Sequence, residues 1–231
     1  MSKYKRKLVD LDKRIHRGLS KSWGMSVIFN DDTYVDVKPE YLATVYVAEA
    51  ISESKYRSCN EVITLEKQVK EVATECFSGL PKPRLTRRLR SRSGKKKSRE
   101  RVDICVSEDD SVFKTTRAIV ELKLTSSNTT LTPDLLRNKR FLELRSITKP
   151  NTSAVASLGF IVVDPESSCS ISAQMYRAGL KSKYEQLANQ FSSTVFDIRV
   201  TVKLVSNPPR NVDELGVYKH ICTVVISFIR K

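Results

Sequence analysis

An α/β fold with a mixed central β-sheet flanked by helices is what this sequence predicts. Helical and strand-like periodicities interleave along the chain, which is the pattern of packed α/β layers. One stretch, residues 154–163, is almost continuously apolar, as suits a central strand covered on both faces. Apolar residues make up 40% of the 231 positions and charged residues 29%, enough to bury a core and too apolar for wholesale disorder.

Taken in order, residues 1–22 read as a basic N-terminal arm and 23–231 as a single domain. Residues 23–37 suggest a hairpin, because β-rich runs flank the turn-type cluster Asn30-Asp31-Asp32. Pro39 then opens a helical pattern over 40–54, proline being tolerated in a first turn. A strand near 61–67 passing into a helix comes next, ended by Gly79 and Pro81. Residues 101–106 and 117–124 are alternating strands joined through the turn signal Glu108-Asp109-Asp110-Ser111. A helix over 133–146, with Thr132 as N-cap, leads to the apolar strand 154–163. A helix over 171–190 and strands at 195–205 and 217–229 complete the chain.

The net charge of +15 is unevenly placed. Residues 1–21 hold eight Lys/Arg against two Asp, and residues 82–101 hold eleven against Glu100 alone, so the rest of the chain is nearly neutral. The eleven are Lys82, Arg84, Arg87, Arg88, Arg90, Arg92, Lys95, Lys96, Lys97, Arg99 and Arg101. Charge this dense stays solvated unless a polyanion condenses on it, and phosphate backbones are the common polyanion. Aromatic residues are missing from this segment, so base stacking is not its mode.

Other classes are disfavoured. No 18-residue stretch escapes charge and no apolar leader opens the chain, so an intracellular protein is expected, cytoplasmic or nucleoid-associated and without a membrane partner. Five widely spaced cysteines form no CxxC, which speaks against a disulfide scaffold or zinc finger; Cys76, Cys105 and Cys222 sit in apolar runs as small hydrophobes. The only histidines, His16 and His220, are far apart in sequence, and neither GxxxxGK[ST] nor GxGxxG occurs.

The chemistry lies in carboxylates that interrupt apolar strands. Glu121 and Lys123 are two apart and share a strand face. A hairpin centred near Val112 pairs positions summing to about 224, which puts Asp103 across from Glu121. Two carboxylates so placed repel unless a cation lies between them, and a hard divalent ion takes such oxygen ligands. Lys123 would hold a water or offset charge on a phosphate.

Asp103 in RVDICV, followed by Glu121-Leu122-Lys123 in AIVELKL, resembles the PD-(D/E)XK, or restriction-endonuclease-like, nuclease superfamily. The resemblance spans about half the chain, and Val102 stands where the motif has proline. It implies an αβββαβ core with C-terminal β additions, and a Mg²⁺- or Mn²⁺-dependent nuclease, more specifically an endonuclease acting on DNA rather than RNA. Asp103, Glu121 and the Leu122 carbonyl would hold the metal, and Lys123 would place the attacking water. An additional acid comes from Glu40 or Glu49 on the first helix, or from Glu66. The helix after the motif, bearing Asp134, Arg137 and Arg140, is expected to face the site. Duplex cleavage needs two cuts, which suits a homodimer. Two alternatives share the basic segments: a non-catalytic nucleic-acid binder on an inactive nuclease-like fold, and a protein whose basic arms dock on an acidic partner.

Overall fold

The computed structural model describes residues 3–31, 39–76, 89, 100–110, 113–123, 126–148, 152–165, 172–205 and 218–231. Five helices occur among them: α1 (Lys3–Asp31), α2 (Pro39–Ser52), α3 (Val69–Cys76), α4 (Asn128–Thr148) and α5 (Ala173–Asn189). Six strands, β1 (Glu61–Gln68), β2 (Arg101–Asp110), β3 (Phe113–Lys123), β4 (Val155–Pro165), β5 (Phe196–Leu204) and β6 (Tyr218–Arg230), form one mixed sheet in the order β1-β2-β3-β4-β6-β5. Only β3 and β4 run parallel, joined by α4; every other neighbouring pair is antiparallel.

Strand alternation divides the core in two. On β4 and β6, Ala156, Leu158, Phe160, Val162, Val224, Ile226 and Phe228 pack under α3, α4 and α5. Val155, Ile161, Ile221 and Val225 face the other way and meet Ile15 and Leu19 of α1 and Val47 of α2. The run at 154–163 is thus a strand covered on both faces, near the middle of the sheet. Cys76, Cys105 and Cys222 are buried free thiols, and burial pushes the Cys76 thiol up to about 12.

The N-terminal reading needs correction. Residues 3–31 are one helix that runs through position 22/23, and no strand occupies 23–31; residues 32–37 of the expected hairpin lie outside the described residues. Leu11, Ile15 and Leu19 form an apolar stripe that packs on the sheet despite the surrounding charge. Polar residues of the same helix are buried with it. His16 is held between the hydroxyls of Thr223 at 2.7 Å and Thr201 at 2.8 Å, and Asp12 accepts from Ser227 at 2.7 Å and Arg199 at 2.5 Å. Burial holds the His16 imidazole down at about 3, so it stays neutral.

Two smaller differences bear on the site. Helix α4 starts at Asn128, because Ser127, not Thr132, caps it by accepting from the Thr130 N–H at 3.3 Å. Leu89, inside the basic segment, is buried in the core with α3, α4 and α5.

Candidate functional site

The site grows out of a fork between β2 and β3. Their ladder runs Val106↔Ala118, Cys105↔Ile119, Ile104↔Val120, in the register expected from the sequence, with a bulge between Val106 and Ser107. It stops there, although β2 begins at Arg101 and β3 continues to Lys123. Beyond the last pair the Asp103 carboxylate accepts from the Leu122 backbone N–H at 2.6 Å. A residue's N–H and C=O point to the same side of a strand, so the Leu122 carbonyl also faces the fork.

Asp103 sits at a kink with an identifiable cause. Glu66 on β1 has φ 51°, the left-handed region that non-glycine residues rarely occupy. Alternation therefore breaks at this level. Leu65 and its partner Ile104 face α1 and α2, whereas Val102, paired with Lys67, packs with the α3–α4 core. Glu66 and Arg101 are 3.9 Å apart at the exposed rim.

Glu121 and Lys123 project towards α4. Glu121 is buried and bonded to the guanidinium of Arg137, one turn after Asp134 on α4. Arg137 is also 3.4 Å from Asp134 and 3.6 Å from Glu100, and donates to the Arg101 carbonyl at 3.3 Å. Lys123 reaches Asp134 at 3.4 Å and Glu40, in the first turn of α2, at 3.6 Å. Lys123 therefore touches both helical layers.

The electrostatics follow from burial. Burial raises the Asp103 carboxyl to about 6, against the Leu122 N–H and Lys123, which lower it. Burial also pushes Glu121 up, against the pull of Arg137. Four carboxylates around Lys123 (Asp134, Asp103, Glu121 and Glu40) outweigh its desolvation and raise its pKa, so it is an ammonium at neutral pH. Lys123 is thus a cation and not a proton acceptor here.

Of the sequence-predicted residues, the structure brings together Asp103, Glu121, the Leu122 backbone, Lys123 and Glu40, with Glu66 close enough to raise the Asp103 carboxyl. Glu49 is not among them. It lies further along α2, exposed and 2.7 Å from Lys21 of α1, because the helix turns it away from the strand ends. Arg101 is exposed at the start of β2; Lys82, Arg84, Arg87, Arg88, Arg90, Arg92, Lys95, Lys96, Lys97 and Arg99 lie outside the described residues. Glu100 gives no sign of itself in sequence, being one acid inside a basic run, yet it turns inward to Arg137. A cavity of about 80 Å³ lined by Arg14, Arg57, Glu108 and Arg117 lies at the opposite end of β2 and β3.

The donors at the fork are all oxygen, which matches Mg²⁺ or Mn²⁺ and not a thiolate-seeking ion. A carboxyl held at about 6 by burial is one that a cation would return to the ionised form. Among the described residues, no three His, Cys, Asp or Glu side chains are gathered closely enough to hold a metal ion. No family model matches the chain, and no curated protein or solved structure matches it.

Proposed function

We propose that the chain is a divalent-metal-dependent nuclease that hydrolyses phosphodiester bonds, in DNA, on a restriction-endonuclease-like core. One observation carries this reading: Asp103, the Leu122 backbone, Glu121 and Lys123 meet at the fork where β2 and β3 part. The element order α2, β1, β2, β3, α4, β4 supports it, with α3 as an insertion between β1 and β2. The +10 segment 82–101 supports a polyanionic partner, since it runs directly into β2, two residues before Asp103.

The roles follow from the chemistry. Asp103, Glu121 and the Leu122 carbonyl would hold the ion; Mg²⁺ or Mn²⁺ supplies Lewis acidity and a more acidic water. Lys123, charged and tied between Asp134 and Glu40, orients the attacking water and offsets charge building on the phosphate. Glu40 and Asp134 position that ammonium. Arg137 holds Glu121 in place. Two protomers would make the two cuts of a duplex.

The test is nicking of supercoiled plasmid in Mg²⁺ or Mn²⁺. Wild type should nick, and Lys123→Ala should be slower by about 10²–10³, the usual loss for one charge-stabilising group. If both are equally inert over a broad range of substrates and metals, the reading fails. A second reading, a nucleic-acid binder without catalysis, draws on the engagement of Glu121 by Arg137. It requires salt-sensitive DNA binding with no heat of divalent-ion binding in calorimetry.

A further inference from the structure

At the end of the sheet away from the fork, the cavity of about 80 Å³ has two unlike walls. One is apolar, built from Leu11 of α1, Ile51 of α2, Val106 of β2, Ala118 of β3 and Val155 of β4; the last four are no more than 6% exposed. The other presents the guanidiniums of Arg14 on α1, Arg57 just before β1 and Arg117 on β3. A greasy wall facing a few oriented polar groups is the usual build of a small-molecule site.

Three carboxylates share the lining, and each is already engaged. Glu108 accepts two N–H groups of Arg117, at 2.8 and 2.5 Å. Asp10 accepts from the Ser54 hydroxyl and lies 3.5 Å from Arg14. Glu61, 8% exposed, accepts from the Ser58 N–H at 3.2 Å. Arg57 differs: its Nε and Nη2 donate to the Glu61 carbonyl at 3.3 and 2.7 Å, and it pairs with no carboxylate among the described residues. Arg14 Nη2, Arg57 Nη1 and Arg117 Nη1 remain as donors without a bond to the described residues.

The surroundings add positive charge. Glu53, 3.6 Å from Arg14, is answered by Arg17 at 2.7 Å. Arg145 is fully buried, yet it bonds only neutral groups, the Cys76 carbonyl at 3.4 Å and the Thr152 hydroxyl at 2.7 Å, beside Ser153 of the lining. Burial lowers its pKa, and so do the nearby guanidiniums of Arg117 and Arg230. A buried guanidinium that no described carboxylate answers favours an anion on its open side. Size narrows the choice. A buried water needs about 10–15 Å³, so the cavity holds about five to eight water-sized groups. A carboxylate leaves room there for a short carbon skeleton, whereas the head of a phosphate ester would fill most of it.

We propose that this cavity binds a small organic carboxylate with an apolar body of about three to five carbons, its head on Arg57, Arg14 and Arg117 and its body on Ile51, Val106, Ala118 and Val155. The site is independent of the nuclease reading.

The probe is isovalerate, followed on the full chain through the methyl resonances of Ile51, Val106 and Val155. It should bind saturably and move those methyls. Isoamyl alcohol, which has the same skeleton without the charge, should bind at least about tenfold more weakly, and isovalerate should lose about as much on Arg57→Gln, the usual loss for a charge-assisted hydrogen bond. Arg57 is exposed, so this variant keeps the fold. Three results each overturn the proposal: no saturable binding of isovalerate in the millimolar range, equal binding of the alcohol, or equal binding of inorganic phosphate. Plasmid nicking is untouched by any of them.

Discussion

Replacing Gly18 by alanine tests how α2, and with it Glu40, is seated. A methyl group at position 18 would lie 2.4 Å from the Val47 Cα, 2.6 Å from the Val47 N and 2.7 Å from the Tyr46 O. All three are backbone atoms of α2, so no side chain can swing aside, and the two helices must part by roughly 1 Å to restore ordinary contact. Ile15, Leu19, Ala43 and Val47 line the seam, each no more than 1% exposed, and would lose contact along it. Overpacking of this kind costs about 3 kcal/mol at its upper end, offset by about 1 kcal/mol for removing a glycine from a helix interior. The net is a loss of about 2 kcal/mol, a large part of a typical domain's stability. Gly24, on the same helix, has nothing within 4 Å of its would-be methyl, so Gly24→Ala should gain about 0.5–1 kcal/mol. Urea unfolding of the pair should therefore separate them by about 2–3 kcal/mol, and melting temperatures by about 5–10 °C. A Gly18→Ala protein as stable as Gly24→Ala would refute the close approach of α1 and α2.

Two further outcomes follow from the fork. The Asp103 carboxyl keeps its proton up to about 6 in the folded protein against an ordinary 3.8, chiefly through burial, so this group favours the folded state at low pH and loses that contribution as pH rises from about 4 to 6. Asp103→Asn should flatten stability over that window, gain on the order of 2 kcal/mol over wild type at pH 7.5, and abolish nicking; parallel pH curves for the two proteins would contradict the burial of Asp103. Glu66 pays about 1–2 kcal/mol for its left-handed backbone, so Glu66→Gly should hold or raise the melting temperature and Glu66→Val should lower it. A glycine variant less stable than wild type would mean that the Glu66 side chain, and not its backbone, matters there.

The centre of the fold was legible because its signals are local. Alternation in β3 puts Glu121 and Lys123 on one face, and the register from Val106↔Ala118 to Ile104↔Val120 is the one the spacing gives; the expected pair of Asp103 with Glu121 and the shared face of Val102 with Ile104 are not formed, because the ladder ends at Ile104 and the alternation of β2 breaks at Asp103. The apolar run of β4 announced a strand buried on both faces. Helix α1 was hidden by its own charge: its stripe of Leu11, Ile15 and Leu19 is interrupted by Lys13, Arg14 and Arg17, and tertiary packing overrides the β-prone residues near Trp23. The kink at Glu66 carries no glycine or asparagine to mark it. The grip of Arg137 on Glu121 and Glu100 joins α4 to β3 and to the start of β2, and contacts between separate elements have no periodicity to betray them.

The polar groups buried beneath α1 also determine which way its outer side looks. A purely greasy helix can turn or slide on a sheet at little expense. Here a rotation by one residue would carry His16 away from Thr201 and Thr223, and Asp12 away from Ser227 and Arg199, leaving each stranded in hydrocarbon. The helix is latched in azimuth. Lys13, Arg17 and Lys21, exposed and spaced four apart, thereby keep a set heading relative to the sheet, which brings Arg17 within 2.7 Å of Glu53 and Lys21 within 2.7 Å of Glu49.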